Sequence, residues 1–314
     1  MPQIAFDTRR LLLYAPSPTA AAILGYVTHH HLGAITYIQQ DSAAGEMKGF
    51  VEAWPRTNRP EWDLAFLAPS LDGGGAGKVW QRLLSRLIVV AGEKNISRIY
   101  ARPQEAQVEQ ILRQVGFTLV RREEILVLTS QTAPAPPVEG LRSIEAGDGG
   151  ALRALCHRVQ SHLGKGTEDV SPHRILDFYP YLHNGTTKDE YVWRQKGTLV
   201  AYLGLEGSPR GYWLDIVVDP DSRADLLPCL EYILGLTECA EKMPLYCPVA
   251  DNVSWLGGLL QDLGFTSYTR QAVLVAHTKA RTSVRCEIPV TALEKGIDMG
   301  APVGQMFEPS VRKK

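Results

Sequence analysis

Ala68-Pro69-Ser70-Leu71-Asp72-Gly73-Gly74-Gly75-Ala76-Gly77-Lys78 is the stretch whose residue types point most directly to chemistry. A strand-like apolar run ends just before it, and a helical period begins at its last residues. Glycines let a backbone approach a ligand closely and adopt positive φ. A helix start offers unpaired N–H groups and the positive end of the macrodipole. Together these features form a cradle for phosphate oxygens, to which Lys78 adds a cation, with Arg82 one turn further along. The plainer alternative is a flexible turn. On the preceding strand, Glu61 or Asp63 would serve as a base that deprotonates an amine beside the cleft, directly or through water. Otherwise they are two solvated carboxylates on one strand face. The triplet His29-His30-His31 is not read as a metal site, because consecutive side chains diverge.

The elements that must position these residues follow from apolar period. A first strand is expected over residues 3–14, then strands over Ala34–Gln39, Met47–Trp54 and Trp62–Ala68. A helix over Gly77–Glu93 buries Val79, Leu83, Leu87 and Val90 on one face. Strand Ile96–Ala101, helix Glu105–Val115 and strand Phe117–Leu128 complete the first half. The second half repeats the plan after helices near Gly149–Ser161 and Pro172–Tyr179. A hairpin (Glu190–Arg194, Thr198–Glu206) leads to strand Tyr212–Val218 and a helix near Leu226–Glu241. Strand Leu245–Val249, helix Ser254–Leu263 and strand Phe265–His277 close it.

The halves are related in sequence as well as in plan. Ile111-Leu112-Arg113-Gln114-Val115-Gly116-Phe117-Thr118 has its counterpart 148 positions on, in Leu259-Leu260-Gln261-Asp262-Leu263-Gly264-Phe265-Thr266. Between the halves, Thr129–Gly140 holds three prolines and suits a semi-rigid spacer. The expected organisation is a domain over 1–130, a linker over 131–140, a second domain over 141–278 and a tail over 279–314. The tail shows little periodicity apart from a short helix near Val290–Lys295. Alternating strands and helices place the chain in the α/β (α+β) class.

Two familiar phosphate loops do not fit the glycine stretch. A Walker A loop would need its first glycine at Asp72 and its Ser/Thr at Val79. A Rossmann fingerprint fails at Lys78, and its strand comes too late in the chain. Strand, then Asp72-Gly73-Gly74-Gly75-Ala76-Gly77, then helix resembles the coenzyme A pyrophosphate loop of the GNAT N-acetyltransferase superfamily. The family's closing Gly-Phe before a final strand is present twice, at Gly116-Phe117 and Gly264-Phe265. The resemblance implies two tandem GNAT-like domains, each a mixed, mostly antiparallel sheet flanked by helices. It implies acetyl-CoA or another acyl-coenzyme A as co-substrate, and transfer to a small-molecule or peptide amine. The loop residues Asp72 to Lys78 would hold the pyrophosphate, and the strand edge at Leu67 and Ala68 would pair with pantetheine amides. Asn252, with Ser254, resembles the family's coenzyme-arm Asn, where the first half has Gln104 and Ala106.

The departures from the family pattern are specific. Asp72 stands where the family has Gln or Arg, and Ser222-Arg223-Ala224-Asp225-Leu226-Leu227 contains no glycine. Leu112 and Leu260 stand where many members carry a Tyr that protonates the leaving thiolate. The first half is therefore expected to be the better coenzyme binder. The runner-up is a catalytically degenerate tandem protein that binds or senses coenzyme A.

Composition excludes several classes. Apolar residues make up 45% and charged residues 21%, enough to build cores. Lys and Arg number 33 against 34 Asp and Glu, so no basic excess marks a nucleic-acid binder. No run approaches the length of a membrane span. Five cysteines without a C-x-x-C pair suit free thiols in a reducing cytoplasm. Thr8–Leu13 is faintly like a twin-arginine export signal, but Pro16 and Pro18 interrupt its apolar stretch. A homodimer is compatible with the sequence, which leaves the oligomeric state open.

Overall fold

Among the described residues twelve strands form one sheet, and its order records how the two halves are joined. The computed structural model describes residues 2–15, 17–19, 22–23, 34–40, 47–56, 59–71, 76–163 and 186–278. The first half comprises β1 (Ile4–Ala5), α1 (Thr8–Tyr14), β2 (Ile35–Gln40), β3 (Met47–Pro55), β4 (Glu61–Ala68), α2 (Ala76–Glu93), β5 (Arg98–Ala101), α3 (Ala106–Gln114) and β6 (Thr118–Leu128). The second comprises β7 (Leu141–Ser143), α4 (Gly149–Leu163), β8 (Thr187–Gln195), β9 (Thr198–Ser208), β10 (Gly211–Val218), α5 (Leu227–Gly235), β11 (Leu245–Ala250), α6 (Ser254–Asp262) and β12 (Thr266–His277). Met1–Lys279 form one compact unit.

The strand order is β2-β3-β4-β5-β12-β6-β11-β10-β9-β8-β7, with β1 added to β4. The final strands have changed places. β12 closes the first half beside β5, and β6 closes the second beside β11. The cores record the same exchange. Trp80, Leu84 and Leu87 of α2 pack with Leu64, Ile99 and, from β12, Ala272 and Leu274. Leu230 and Ile233 of α5 and Leu260 of α6 pack with Leu214, Leu245 and, from β6, Leu126 and Leu128. The Pro-rich segment thus separates two repeats in sequence without separating two sheets.

Local chemistry explains the element ends. Gly116 and Gly264 take φ of 101° and 92° just past α3 and α6, a C-terminal conformation glycine adopts without steric cost. The expected strand over 3–14 is corrected: only Ile4–Ala5 is extended. The Asp7 carboxylate accepts the Arg10 N–H at 3.1 Å and caps a helix, which leaves the chain at Ala15 with φ 44°. The helix expected over Leu226–Glu241 is shorter. A 3-10 turn, Pro220–Asp225, precedes it, and it stops at Gly235, where Thr237 Oγ1 donates to the Leu234 carbonyl. The helices expected at Pro172–Tyr179 and Val290–Lys295 lie outside the described residues, as do His29-His30-His31.

Candidate functional site

In each half two parallel strands begin together and then part. β4 pairs with β5 at Glu61, Trp62 and Asp63 only. β10 pairs with β11 at Tyr212 and Trp213 only. Beyond those points one edge of β4 and of β10 needs other partners for its peptide groups.

The two gaps differ. In the first half β1 enters as an antiparallel strand, with Ile4 opposite Leu67 and Ala5 opposite Phe66. The Phe6 N–H donates to the Ala65 carbonyl and the Ser70 N–H to the Pro2 carbonyl, both at 2.9 Å. β3 holds the opposite edge of β4, and all of β4 is buried. The edge at Leu67 and Ala68, expected to pair with pantetheine amides, is held by Pro2–Phe6. In the second half β11 turns away to pair with β6 as far as Ala250. Among the described residues no strand lies beside β10 past Trp213 on that side, and Asp215, Ile216 and Val217 are half-buried. The Tyr212 N–H faces β11, donating to the Pro244 carbonyl at 2.8 Å. By strand alternation Leu214 and Ile216 aim their peptide groups into the gap.

The candidate base is tightly held. Asp63 accepts from Arg56 at 2.8 and 2.7 Å and from Arg102 at 2.9 Å. Glu61 accepts from Arg56 at 3.1 Å and Arg59 at 3.3 Å. Both carboxylates are buried, so they are not the solvated pair that was the alternative. Burial would raise the Asp63 pKa, but Arg56 and then Arg102 overcome it and hold the carboxyl far below its ordinary range. Arg56 also lies 3.9 Å from the centre of the Tyr100 ring. A carboxylate so stabilised as an anion is a poor proton acceptor, and the group works as an ion-pair hub.

Of the other expected site residues, Asp72, Gly73, Gly74 and Gly75 lie outside the described residues. Ala76 and Gly77 open α2, where a Cβ on Gly77 would meet nothing nearer than Ile111 Cδ1 at 3.8 Å. Lys78 is exposed on the first turn. Asn252 is exposed in the turn Asp251–Val253 ahead of α6. That turn borders a groove of about 660 Å³ between α3 and α6, lined from both repeats. Gly257 lines it at the position that corresponds, 148 residues on, to Glu109, which lines it too. Leu112 and Leu260 are wholly buried. Cys156, Cys229, Cys239 and Cys247 are free and buried.

Sequence reasoning missed two groups. Glu52 is fully buried, and burial pushes its carboxyl up to about 7, partly offset by a hydrogen bond from Trp54 Nε1 and by the Arg10 charge. Arg10 itself lies over the Trp54 ring. Beside the open gap, Arg9 of α1 bridges Asp215 (2.9 Å) and Glu206 and lies over Trp213. Glu52 was detectable as the lone carboxylate in the apolar run Phe50-Val51-Glu52-Ala53-Trp54. Nothing local marks Arg9.

A mixed α/β protein with two parted parallel strand pairs in one sheet is the class these features define. A GCN5-related N-acetyltransferase from Sphaerobacter thermophilus matches it with a TM-score of 0.50 at 15% identity, over 88% of this chain and 96% of that one. Saccharomyces cerevisiae N-myristoyltransferase with bound myristoyl-CoA matches at 0.49 and 12%, over 77% and 69%. A tandem GNAT protein from the clavulanic acid biosynthesis pathway matches at 0.46 and 15%, over 78% and 84%. No protein-family model and no curated protein matches the sequence. The fold is that of the GNAT acetyltransferases, and the repeat seen in sequence and structure builds it twice in tandem. No described helix is long and apolar enough to cross a membrane.

Proposed function

We propose that the chain is an acyl-coenzyme A–dependent N-acyltransferase whose coenzyme arm lies in the open gap between β10 and β11. The observation that carries this reading is the edge of β10 past Trp213, which no strand among the described residues pairs, in a fold shared with an N-acetyltransferase. An extended pantetheine arm carries amides that suit such an edge, and Asn252 and Ser254 stand at the neighbouring helix start. An acceptor amine, on a small molecule or a peptide, attacks the thioester carbonyl. The carbon–sulfur bond breaks, an amide forms, and the proton lost by the amine nitrogen ends on the departing thiolate. Holding both partners in line supplies most of the acceleration in such a step, up to about 7–11 kcal/mol.

Leu260, wholly buried where a thiolate-protonating Tyr would stand, supports a second reading: a protein that binds the coenzyme without turning it over. Isothermal titration with acetyl-CoA, paired with a thiol-release assay over an amine panel, separates the two. Ile216→Pro removes a gap-facing N–H while leaving the bonds to β9 in place. It should weaken acetyl-CoA binding at least tenfold. Unchanged binding in this variant would refute the proposed location.

A further inference from the structure

The two gaps are built alike, yet one is filled from within. We infer that the first-half gap is a binding site for an extended, amide-bearing chain, held closed by the protein's own residues Pro2–Phe6. The inference rests on the reading of the second gap as the coenzyme site.

Three features identify the segment as an occupant of a site, beyond simply another strand. It makes main-chain bonds along the one edge of β4 that β5 has left, from Ala65 to Ser70. It buries one anchor, Phe6, which is wholly inaccessible and packs against Trp80 of α2 with ring centres 6.2 Å apart. It pairs over two residues only, so removing it leaves the rest of the sheet order intact. Main-chain bonds for affinity and side-chain pockets for selectivity are the means by which sheet edges take up peptide strands. The same edge suits the amides of a pantetheine arm.

The occupant is also tied to the other gap. Phe6 ends the inserted segment and Thr8 begins α1. Thr8 Oγ1 donates to Gln271 of β12 at 2.6 Å, and Arg9 reaches Asp215 and Glu206 on the wall of the second gap. A ligand entering the first gap displaces the segment and, through one turn of chain, pulls on the helix that lines the second. Occupation of one gap is thereby coupled to the shape of the other.

Equilibrium dialysis with coenzyme A tests this on the full chain, on a variant lacking residues 2–6 and on Ile4→Pro. The full chain should bind one equivalent and the deletion two. A synthetic peptide of residues 1–7 should displace one of those two. Ile4→Pro retains Phe6 and the rest of the chain, but loses a β4-facing N–H. It should take up a second, weaker equivalent, which keeps the test open if the deletion does not fold. No binding by the full chain would overturn the coenzyme reading of the second gap. Two equivalents bound by the full chain would overturn the self-occupied first gap. So would one equivalent in the full chain and still one in both folded variants.

Discussion

Asp63→Asn is the substitution that separates an ion-pair hub from a base. Asn keeps the shape and one acceptor oxygen but drops the charge. Asp63, Arg56 and Arg102 are each less than a tenth exposed and joined at 2.7–2.9 Å. Removing one member of a buried charged set leaves its partners uncompensated, at a cost of about 3–5 kcal/mol. The lower end applies, because Arg56 keeps Glu61 at 3.1 Å. For a unit of this size, ~3 kcal/mol lowers Tm by roughly 6–12 °C. The pH dependence supplies a signed second readout. The folded pKa of Asp63 lies far below its ordinary 3.8. Its contribution is thus complete above about pH 4 and is lost as pH falls toward the folded value. The loss runs at about 1.4 kcal/mol per pH unit. The Asn variant does not titrate there, so the stability gap between the two proteins should narrow by that amount per unit below about pH 4. Urea denaturation across pH 3–8 measures it. A gap that stays constant with pH refutes the ion-pair reasoning. A variant as stable as the parent yet devoid of transferase activity would restore the base.

Glu52 should behave in the opposite sense. Its folded pKa of about 7 lies above the ordinary 4.5, so stability is lost as pH rises through that window. Glu52→Gln should match the parent near pH 4.5 and exceed it at pH 8 by roughly 1–3 kcal/mol in thermal denaturation; a parent that is equally stable at both pH values would refute this. Limited proteolysis should nick the exposed stretch around Thr129–Gly140, yet the fragments should co-elute on size exclusion until denaturant is added, because β6 and β12 are interleaved. Fragments that part spontaneously in native buffer would contradict the strand exchange.

The repeat was legible because it is written in local patterns: a helix, a C-terminal glycine and a Phe, followed by an alternating strand, twice. The exchange of final strands was not. Alternation in Thr118–Leu128 or Thr266–His277 records which face is buried and is silent on which neighbour supplies the edge. Either partner satisfies the same pattern, and the choice rests on contacts more than a hundred residues apart. The buried charges were misread for a related reason. Glu61 and Asp63 look solvated by type, and only the convergence of Arg56, Arg59 and Arg102 from separate positions makes their burial tolerable.

The unequal gaps follow from where each repeat's opening strand pairs: β1 beside β4, β7 beside β8. Comparing β4 with β10, or Asp72–Lys78 with Ser222–Leu227, ranks the first half as the better binder, because the glycines are there. That ranking is blind to Pro2–Phe6, whose counterpart in element order, β7, pairs with β8 at the end of the sheet instead of entering a gap; a two-residue strand is too short to carry a period. Its only local signal is Asp7, a helix cap that ends the extended run after Phe6 and sets how far the segment reaches along β4. The two copies of a duplicated fold can thus come to differ through the pairing of one short strand. Here the difference lies in the edge that β1 covers on β4, while among the described residues no strand lies beside β10 past Trp213 on the side facing β11.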